Sequence, residues 1–155
     1  MFTNTLEPEV TAIEEEPIQI LLKDQVAKDD LIGIYELTEK GFPLEDVIRL
    51  VESVGLFKSQ DVMVKIIGMS IRTLQRKIKN PHEALNPEQS ARALRFAEVL
   101  TKAEKVFGSQ EAAESWMTQP ALGLEGHSPI DLLANPVGYE VVADFLTRLE
   151  YGVYH

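Results

Sequence analysis

The chain has 155 residues, a net charge of −10 and no cysteine. The lack of cysteine excludes a disulfide scaffold, a cysteine-ligated zinc site and a cysteine nucleophile. No apolar run approaches the roughly 20 residues of a membrane span, and the first residues do not resemble a secretory signal. We therefore expect a cytoplasmic protein with no membrane partner.

The first forty residues predict an acidic arm followed by a helix. Residues 1–17 contain two prolines and a run of three glutamates, which favours a solvated arm. The apolar run at residues 17–22 fits either a strand or a helical turn, because it is too short for periodicity to decide. Asp29 or Asp30 can cap a helix that stops at Gly41.

The rest of the chain predicts an all-α fold, because apolar residues recur at helical spacing and no useful alternating strand pattern occurs. Pro43 is placed at the first position of one helix, and Asn86 with Gln89 forms a capping box at the start of another. Predicted helices span residues 43–54, 60–67, 71–79, 87–107, 110–118, 130–133 and 136–151, with Ser59, Ser70, Ser109, Ser128 and Asn135 at the starts of five of them. The predicted apolar face of the last helix comprises Val137, Val141, Val142, Phe145, Leu146 and Leu149.

The charge is distributed unevenly along the chain. Residues 1–50 carry four basic and twelve acidic side chains, residues 51–105 carry ten and six, and residues 106–155 carry one and seven. The local net charges are therefore −8, +4 and −6. This distribution indicates an acidic N-terminal region, a basic middle and an acidic C-terminal region with different partners.

The basic middle has the layout of a DNA-binding helix-turn-helix, because two short helices at 60–67 and 71–79 are joined by a turn containing Gly68. Ile71, Leu74 and Ile78 are expected to face inward. The outward residues have the hydrogen-bonding groups that read bases and hold phosphates in a major groove. The residues predicted to meet operator DNA are Ser70, Arg72, Thr73, Gln75, Arg76, Lys77 and Lys79.

A single unit of this kind makes a small DNA interface, so we expect a homodimer or higher oligomer that reads two half-sites. The N-terminal region is too acidic to touch DNA, yet it has more apolar residues than a free arm needs. We interpret these residues as a self-association surface; they are Ile18, Ile20, Leu21, Leu22, Leu31, Ile32, Ile34 and Tyr35. The predicted organisation is a dimerisation region at 1–41, a helix-turn-helix domain at 42–108 and a C-terminal domain at 109–155.

Nothing in the sequence has the pattern of a catalytic site. No glycine-rich phosphate loop, metalloprotease motif or nucleophile elbow occurs. The three histidines, His82, His127 and His155, are isolated from one another in the sequence and are expected to be surface residues. We therefore expect no catalytic residue, no metal site and no cofactor.

The C-terminal third has the most specific pattern in the chain. It runs W-M-T-Q-P-A-L-G-L-E-G-H-S-P-I-D-L-L over residues 116–133 and G-Y-E-V-V-A-D-F-L-T-R-L-E-Y-G-V over residues 138–153. This segment resembles the toxin-binding domain of the MbcA/ParS/Xre antitoxin family, and the resemblance extends over about residues 42–155. It implies an antitoxin of a type II toxin–antitoxin module, paired with a RES-type toxin that acts on NAD, and autorepression of the operon.

The resemblance also implies that the C-terminal end covers the toxin's NAD pocket. An acidic, aromatic chain end is chemically suited to a basic pocket mouth. Trp116, by contrast, is interpreted as a core anchor rather than a contact residue. The residues predicted to bind the toxin are Asp144, Arg148, Glu150, Tyr151, Val153, Tyr154 and His155.

One alternative stays open at this point. A stand-alone transcriptional regulator with the same helix-turn-helix could use residues 106–155 to sense a small molecule. The two hypotheses differ in whether a toxin is the partner of the C-terminal domain.

Overall fold

The computed structural model describes residues 15–55 and 60–152, which form nine α-helices, one short 3-10 turn and no β-strand. The predicted all-α class is confirmed within these ranges. None of the described helices is both long and apolar enough to cross a membrane. The helices are α1 (Pro17–Leu22), α2 (Leu31–Lys40), α3 (Leu44–Glu52), α4 (Gln60–Ile67), α5 (Ile71–Ile78), α6 (Pro87–Phe107), α7 (Gln110–Met117), α8 (Pro129–Leu132) and α9 (Pro136–Glu150), and the 3-10 turn is Leu122–Leu124.

Most helices begin at the predicted caps, because a side-chain oxygen accepts an otherwise unpaired backbone N–H of the first turn. Asp30, rather than Asp29, caps α2 through the Gly33 amide at 2.9 Å. The capping box of Asn86 and Gln89 is present at α6. Ser70, Ser109 and Asn135 cap α5, α7 and α9.

Three predicted helix starts have a different outcome. Pro43 precedes α3 in an extended conformation and is not its first helical residue. Ser128 precedes α8 without a side-chain cap. Ser59 lies outside the described residues. The run at 17–22, for which the sequence left two possibilities, is the helix α1.

The long helix α6 is the centre of the fold. It packs against α1, α2, α4, α7 and α9. Its residues Ala93, Phe96, Ala97, Leu100 and Ala103 are almost completely buried, as their helical spacing predicts. Both the N-terminal helices and the C-terminal helices therefore depend on this one apolar surface.

The interpretation of the N-terminal apolar residues as a self-association surface is wrong for five of its eight residues. α1 packs on α3 and α6, and its apolar side chains fill the chain's own core. The buried residues are Ile18, Ile20, Leu21, Leu22 and Ile34. Only Leu31, Ile32 and Tyr35, on the outer side of α2, stay exposed, at 75%, 69% and 61%.

The predicted apolar face of α9 also needs correction. Val142 and Leu146 are buried, but Val137 and Val141 are 72% and 46% exposed. The reason is Gly138, whose backbone lies against the backbone of Leu132 at the end of α8. This close approach fixes which side of α9 faces inward and turns the two valines outward.

A half-buried polar pair joins α6 to α9. The Tyr139 hydroxyl donates a hydrogen bond to the Glu98 carboxylate at 3.1 Å. Burial raises the pKa of the Glu98 carboxyl, and it raises the pKa of Tyr139 to about 12, with the nearby Glu98 charge adding to the effect. The Tyr139 hydroxyl therefore keeps its proton, and with it the bond to Glu98, well into the alkaline range.

The approach of Gly138 to Leu132 makes a prediction about stability. A β-carbon at residue 138 would lie 1.9 Å from the Leu132 carbonyl oxygen, so backbone must move. We expect Gly138→Ala to lower the free energy of unfolding by about 3 kcal/mol, measured by urea denaturation. Gly55→Ala is the matched control, because its β-carbon would be 3.7 Å from its nearest neighbour; equal losses in the two variants would contradict this account.

Candidate functional site

The helices α4 and α5 form the helix-turn-helix unit that the sequence predicts. Gly68 makes the turn with φ +79°, a conformation that residues with a side chain rarely adopt. Ser70 then starts α5, and its hydroxyl oxygen accepts the Thr73 amide at 3.1 Å. Leu74 anchors α5 with no exposed surface. These contacts hold the second helix with one side in the core and the other toward solvent.

The solvent side of α5 is basic. Arg72, Gln75, Arg76 and Lys79 are exposed, and Thr73 and Lys77 are half-buried beside them. The structure therefore brings the predicted DNA-contacting side chains onto one helix.

Two details of α5 differ from the sequence prediction. Ile71 and Ile78 were expected to face inward with Leu74, but they stay 38% and 37% exposed. They lie on the edges of the buried stripe, since α5 is short and only its middle reaches the core. The Ser70 hydroxyl is already engaged, because it also donates to the Thr73 hydroxyl at 3.0 Å.

The cations of α5 are available for an anionic partner. Among residues 15–55 and 60–152, Arg72, Arg76, Lys77 and Lys79 form no ion pair with a carboxylate. Elsewhere in the same ranges, six ion pairs are formed. This concentration of unpaired positive charge on an exposed helix suits the phosphate backbone of nucleic acid.

A second surface is the outward side of α9. At spacings of three and four residues, this side presents two exposed valines, an ion pair and an exposed tyrosine. Asp144 and Arg148 are bonded to each other at 3.0 Å with more than half of each side chain exposed. Tyr151 is 72% exposed. We call this set of residues the outer face of α9; it comprises Val137, Val141, Asp144, Arg148 and Tyr151.

An apolar groove flanks the outer face of α9. Its volume is about 400 Å³. Trp116 forms its floor, stacked on Phe145 with 6.0 Å between ring centroids and tilted against Phe107 at 5.1 Å. Leu122, at the start of the 3-10 turn, is fully exposed at the rim. The lining residues are Phe107, Trp116, Ala121, Leu122, Gly123, Phe145 and Leu149.

The structure divides the predicted toxin-binding residues into three groups. Asp144, Arg148 and Tyr151 lie together on the outer face of α9. Glu150 lies on another side of the helix, 4.0 Å from the Lys102 ammonium of α6. The remaining three, Val153, Tyr154 and His155, are outside the described residues.

The sequence did not reveal the groove. Trp116 was interpreted as a core anchor; it packs against the core, but it is half-buried and also lines the groove. The spacing of the aromatic residues predicts helices without showing that three of them meet. Leu122 gave no signal, because the sequence does not show whether a single apolar residue in a turn is buried or exposed.

The described histidine and acidic side chains do not form a metal site beside these two surfaces. In the described part of the chain, no group of three or more histidine or acidic side chains could hold a metal ion. His82 and His127 are exposed and far apart in the sequence; His155 lies outside the described ranges. The described fold therefore defines a helix-turn-helix protein with an additional helical domain at its C-terminal end.

Comparison with known families and relatives identifies both parts. Residues 33–98 match the antitoxin Xre-like helix-turn-helix domain, and residues 102–152 match the antitoxin Xre/MbcA/ParS C-terminal toxin-binding domain. An Xre antitoxin from Yersinia enterocolitica is 32% identical over 111 residues, which cover 69% of this chain and 74% of the relative. The chain belongs to the Xre antitoxin family.

Two further relatives agree with this assignment. The Prs ADP-ribosylating antitoxin of a Sphingobium species is 29% identical over 134 residues, covering 81% of this chain and 80% of the relative. An Xre antitoxin from Photorhabdus laumondii is 25% identical over 118 residues, covering 76% and 78%. The protein is thus an antitoxin of a toxin–antitoxin system, from a family of non-enzymatic regulators, and its C-terminal domain implies a cognate toxin.

Proposed function

We propose that this antitoxin neutralises its toxin through the outer face of α9 and the adjacent apolar groove, and represses its own operon through α5. The observation that carries the proposal is the groove itself. It lies in the segment that matches the toxin-binding domain, and it keeps three aromatic rings and a fully exposed leucine in reach of a partner. Exposed apolar clusters of this kind mark binding sites.

The groove and the outer face of α9 supply different parts of an interface. Aromatic residues at the centre of an interface commonly contribute most of the binding energy. The groove provides these, with Trp116 and Phe145 already stacked and so held in place. The Asp144–Arg148 pair and Tyr151 form the surrounding polar rim, where charge sets orientation and partner choice more than affinity.

We assign the toxin to the RES type, which acts on NAD. The resemblance of residues 42–155 to the MbcA/ParS/Xre antitoxins supports this assignment, and the name of the Sphingobium relative is compatible with a toxin that uses NAD for ADP-ribosylation. The C-terminal fifty residues carry one basic and seven acidic side chains. A pocket that holds the two phosphates of NAD is basic, so the charges are complementary. In this proposal Glu150, Val153, Tyr154 and His155 extend the contact toward the pocket mouth.

We further propose that α5 enters the major groove of operator DNA. Arg72, Gln75 and Arg76 project from one exposed side, and arginine and glutamine make bidentate contacts to guanine and adenine. Thr73, Lys77, Lys79 and the helix N-terminus at Ser70 are assigned to the phosphates.

Self-association is assigned to the outer side of α2. Leu31, Ile32 and Tyr35 are adjacent on one exposed helical surface, whereas Ile18, Ile20, Leu21, Leu22 and Ile34 are in the core. A homodimer through α2 would give two copies of α5 for two half-sites of DNA.

The first prediction from this proposed function concerns the groove. Leu122→Asp places a charge on the rim without disturbing the core, since Leu122 is fully exposed. We expect at least tenfold weaker binding of the toxin encoded beside this gene, because an unpaired charge must be desolvated. Calorimetric titration measures the affinity, and growth of toxin-expressing cells measures protection. Gln119→Glu adds the same charge in the same loop outside the groove; a Leu122→Asp variant as protective as the wild type would refute the groove as the contact.

The second prediction concerns DNA. Arg76→Ala is expected to weaken binding to the protein's own promoter fragment by about 1–3 kcal/mol, because a bidentate base contact is lost. Fluorescence anisotropy at fixed salt measures this change. Lys105→Ala, which removes one exposed charge from α6 away from α5, is the matched control. Equal effects of the two variants would mean that α5 is not the reading helix.

The third prediction concerns the oligomer. Ile32→Asp is expected to convert a full-length dimer to a monomer, since it puts a charge at the centre of the exposed α2 surface. Light scattering coupled to size-exclusion chromatography gives the mass. Ala27→Asp, an exposed position just before α2, should stay dimeric. If the Ile32→Asp variant is still a dimer, the dimer interface does not lie on the outer side of α2.

A further inference from the structure

Arg92 is a residue of α6 that reaches into the helix-turn-helix. Its guanidinium donates hydrogen bonds to the carbonyl oxygens of Lys65 at 2.7 Å and Ile66 at 3.4 Å, in the last turn of α4. The same guanidinium donates to the carbonyl oxygen of Ala134 at 3.1 Å, just before α9. One side chain thus bonds the backbone of two separate parts of the chain.

These acceptors are chemically suited to Arg92. The last carbonyls of a helix have no partner within the helix and carry partial negative charge. A guanidinium satisfies several acceptors at once in a fixed, planar geometry, which a lysine ammonium cannot reproduce. The contact therefore fixes the direction of the end of α4 as well as stabilising it.

The turn that follows α4 is built around the same guanidinium. A β-carbon on Gly68 would lie 2.8 Å from both Cζ and Nε of Arg92, so the absence of a side chain there leaves room for the arginine. Gly68 is followed after two residues by α5. A change in the position of the Arg92 guanidinium would therefore shift the turn that orients α5.

A second contact holds the same end of α4. Asp131 of α8 lies 2.9 Å from the Lys65 ammonium, with about half of each side chain exposed. Lys65 is therefore held through its backbone by Arg92 and through its side chain by Asp131. An acidic residue close to a DNA-binding unit opposes DNA electrostatically, so a favourable effect of Asp131 on DNA binding would have to act through its contact with Lys65.

We propose that Arg92 and Asp131 are positioning residues for DNA binding: from outside the α4–α5 pair, they hold the end of α4 so that α5 has the orientation in which it reads DNA. This inference rests on the proposed binding of operator DNA by α5. Neither residue touches the DNA; both act through α4 and the Gly68 turn.

The test compares operator binding by full-length Arg92→Lys, Arg95→Lys and wild-type protein, using the protein's own promoter fragment over a series of salt concentrations. Arg92→Lys keeps the positive charge and loses the fork of donors. We expect its affinity to fall about tenfold with an unchanged dependence on salt, because the number of phosphate contacts stays the same. Arg95→Lys, the same change one turn along α6, should bind within twofold of the wild type.

A stoichiometric titration at high protein concentration gives the fraction of molecules able to bind. An unchanged fraction with weaker affinity separates misorientation from unfolding, since unfolding lowers the fraction. Wild-type affinity in Arg92→Lys would overturn the inference. If the wild type itself does not bind the promoter fragment, the proposed DNA-binding function fails, and this inference fails with it.

The Asp131→Asn variant tests the positioning role independently of Arg92. It also provides a test if the Arg92→Lys variant does not fold. Because Asp131 is exposed at the surface, this variant is expected to fold. Electrostatics alone predicts tighter DNA binding when a neighbouring acid is removed, whereas the positioning role predicts weaker binding. Unchanged or tighter binding by Asp131→Asn would count against the inference.

Discussion

The burial of one side of α6 is the constraint on which the described structure depends. Five helices pack on it, from both ends of the chain, and its alanines at positions 93, 97 and 103 let them approach closely. Larger side chains at these three positions would not fit between the helices, because protein interiors are already packed as densely as organic crystals. The two surfaces proposed for DNA and for toxin are therefore carried by the same core, and neither has a separate hydrophobic centre among the described residues.

The sequence predicted local structure well and surfaces less well. Caps such as Asn86 with Gln89 are local chemistry, so they could be identified from neighbouring residues alone. The exposure of Val137 and Val141 depends on the contact between Gly138 and Leu132, which join two helices. Apolar periodicity shows that a helix has an apolar side, but tertiary contacts decide how much of that side is covered.

The candidate sites show the same difference: the sequence reveals what depends on neighbouring residues, but not what depends on tertiary contacts. The basic side of α5 follows from helical spacing within eight residues, and the predicted residues are found together on that helix. The groove needed Phe107, Trp116 and Phe145 to meet from three helices, and no spacing in the chain encodes this meeting. The interpretation of α1 as a self-association surface was wrong for the same reason, since its apolar side chains had an intramolecular destination on α3 and α6.

The overall acidity of the chain does not contradict a DNA-binding role for α5. Charges interact over roughly 8–10 Å at physiological salt, so a distant carboxylate has little effect on a phosphate beside Arg76. What matters is the absence of acidic partners next to the cations of α5 among the described residues. Within residues 15–55 and 60–152, the acidic side chain that forms an ion pair with the helix-turn-helix is Asp131, which binds Lys65.

The match to the helix-turn-helix domain ends at residue 98, and the match to the toxin-binding domain begins at residue 102. Both positions lie inside α6. Between them are Val99 and Leu100, whose side chains are buried. In the described chain, no linker therefore separates the two matched domains. Exchange of toxin-binding domains between related antitoxins, by recombination or by construction of chimeras, would have to join two half-helices within a packed core. Partner specificity in this architecture is therefore expected to evolve by substitution on α7–α9 more readily than by domain replacement.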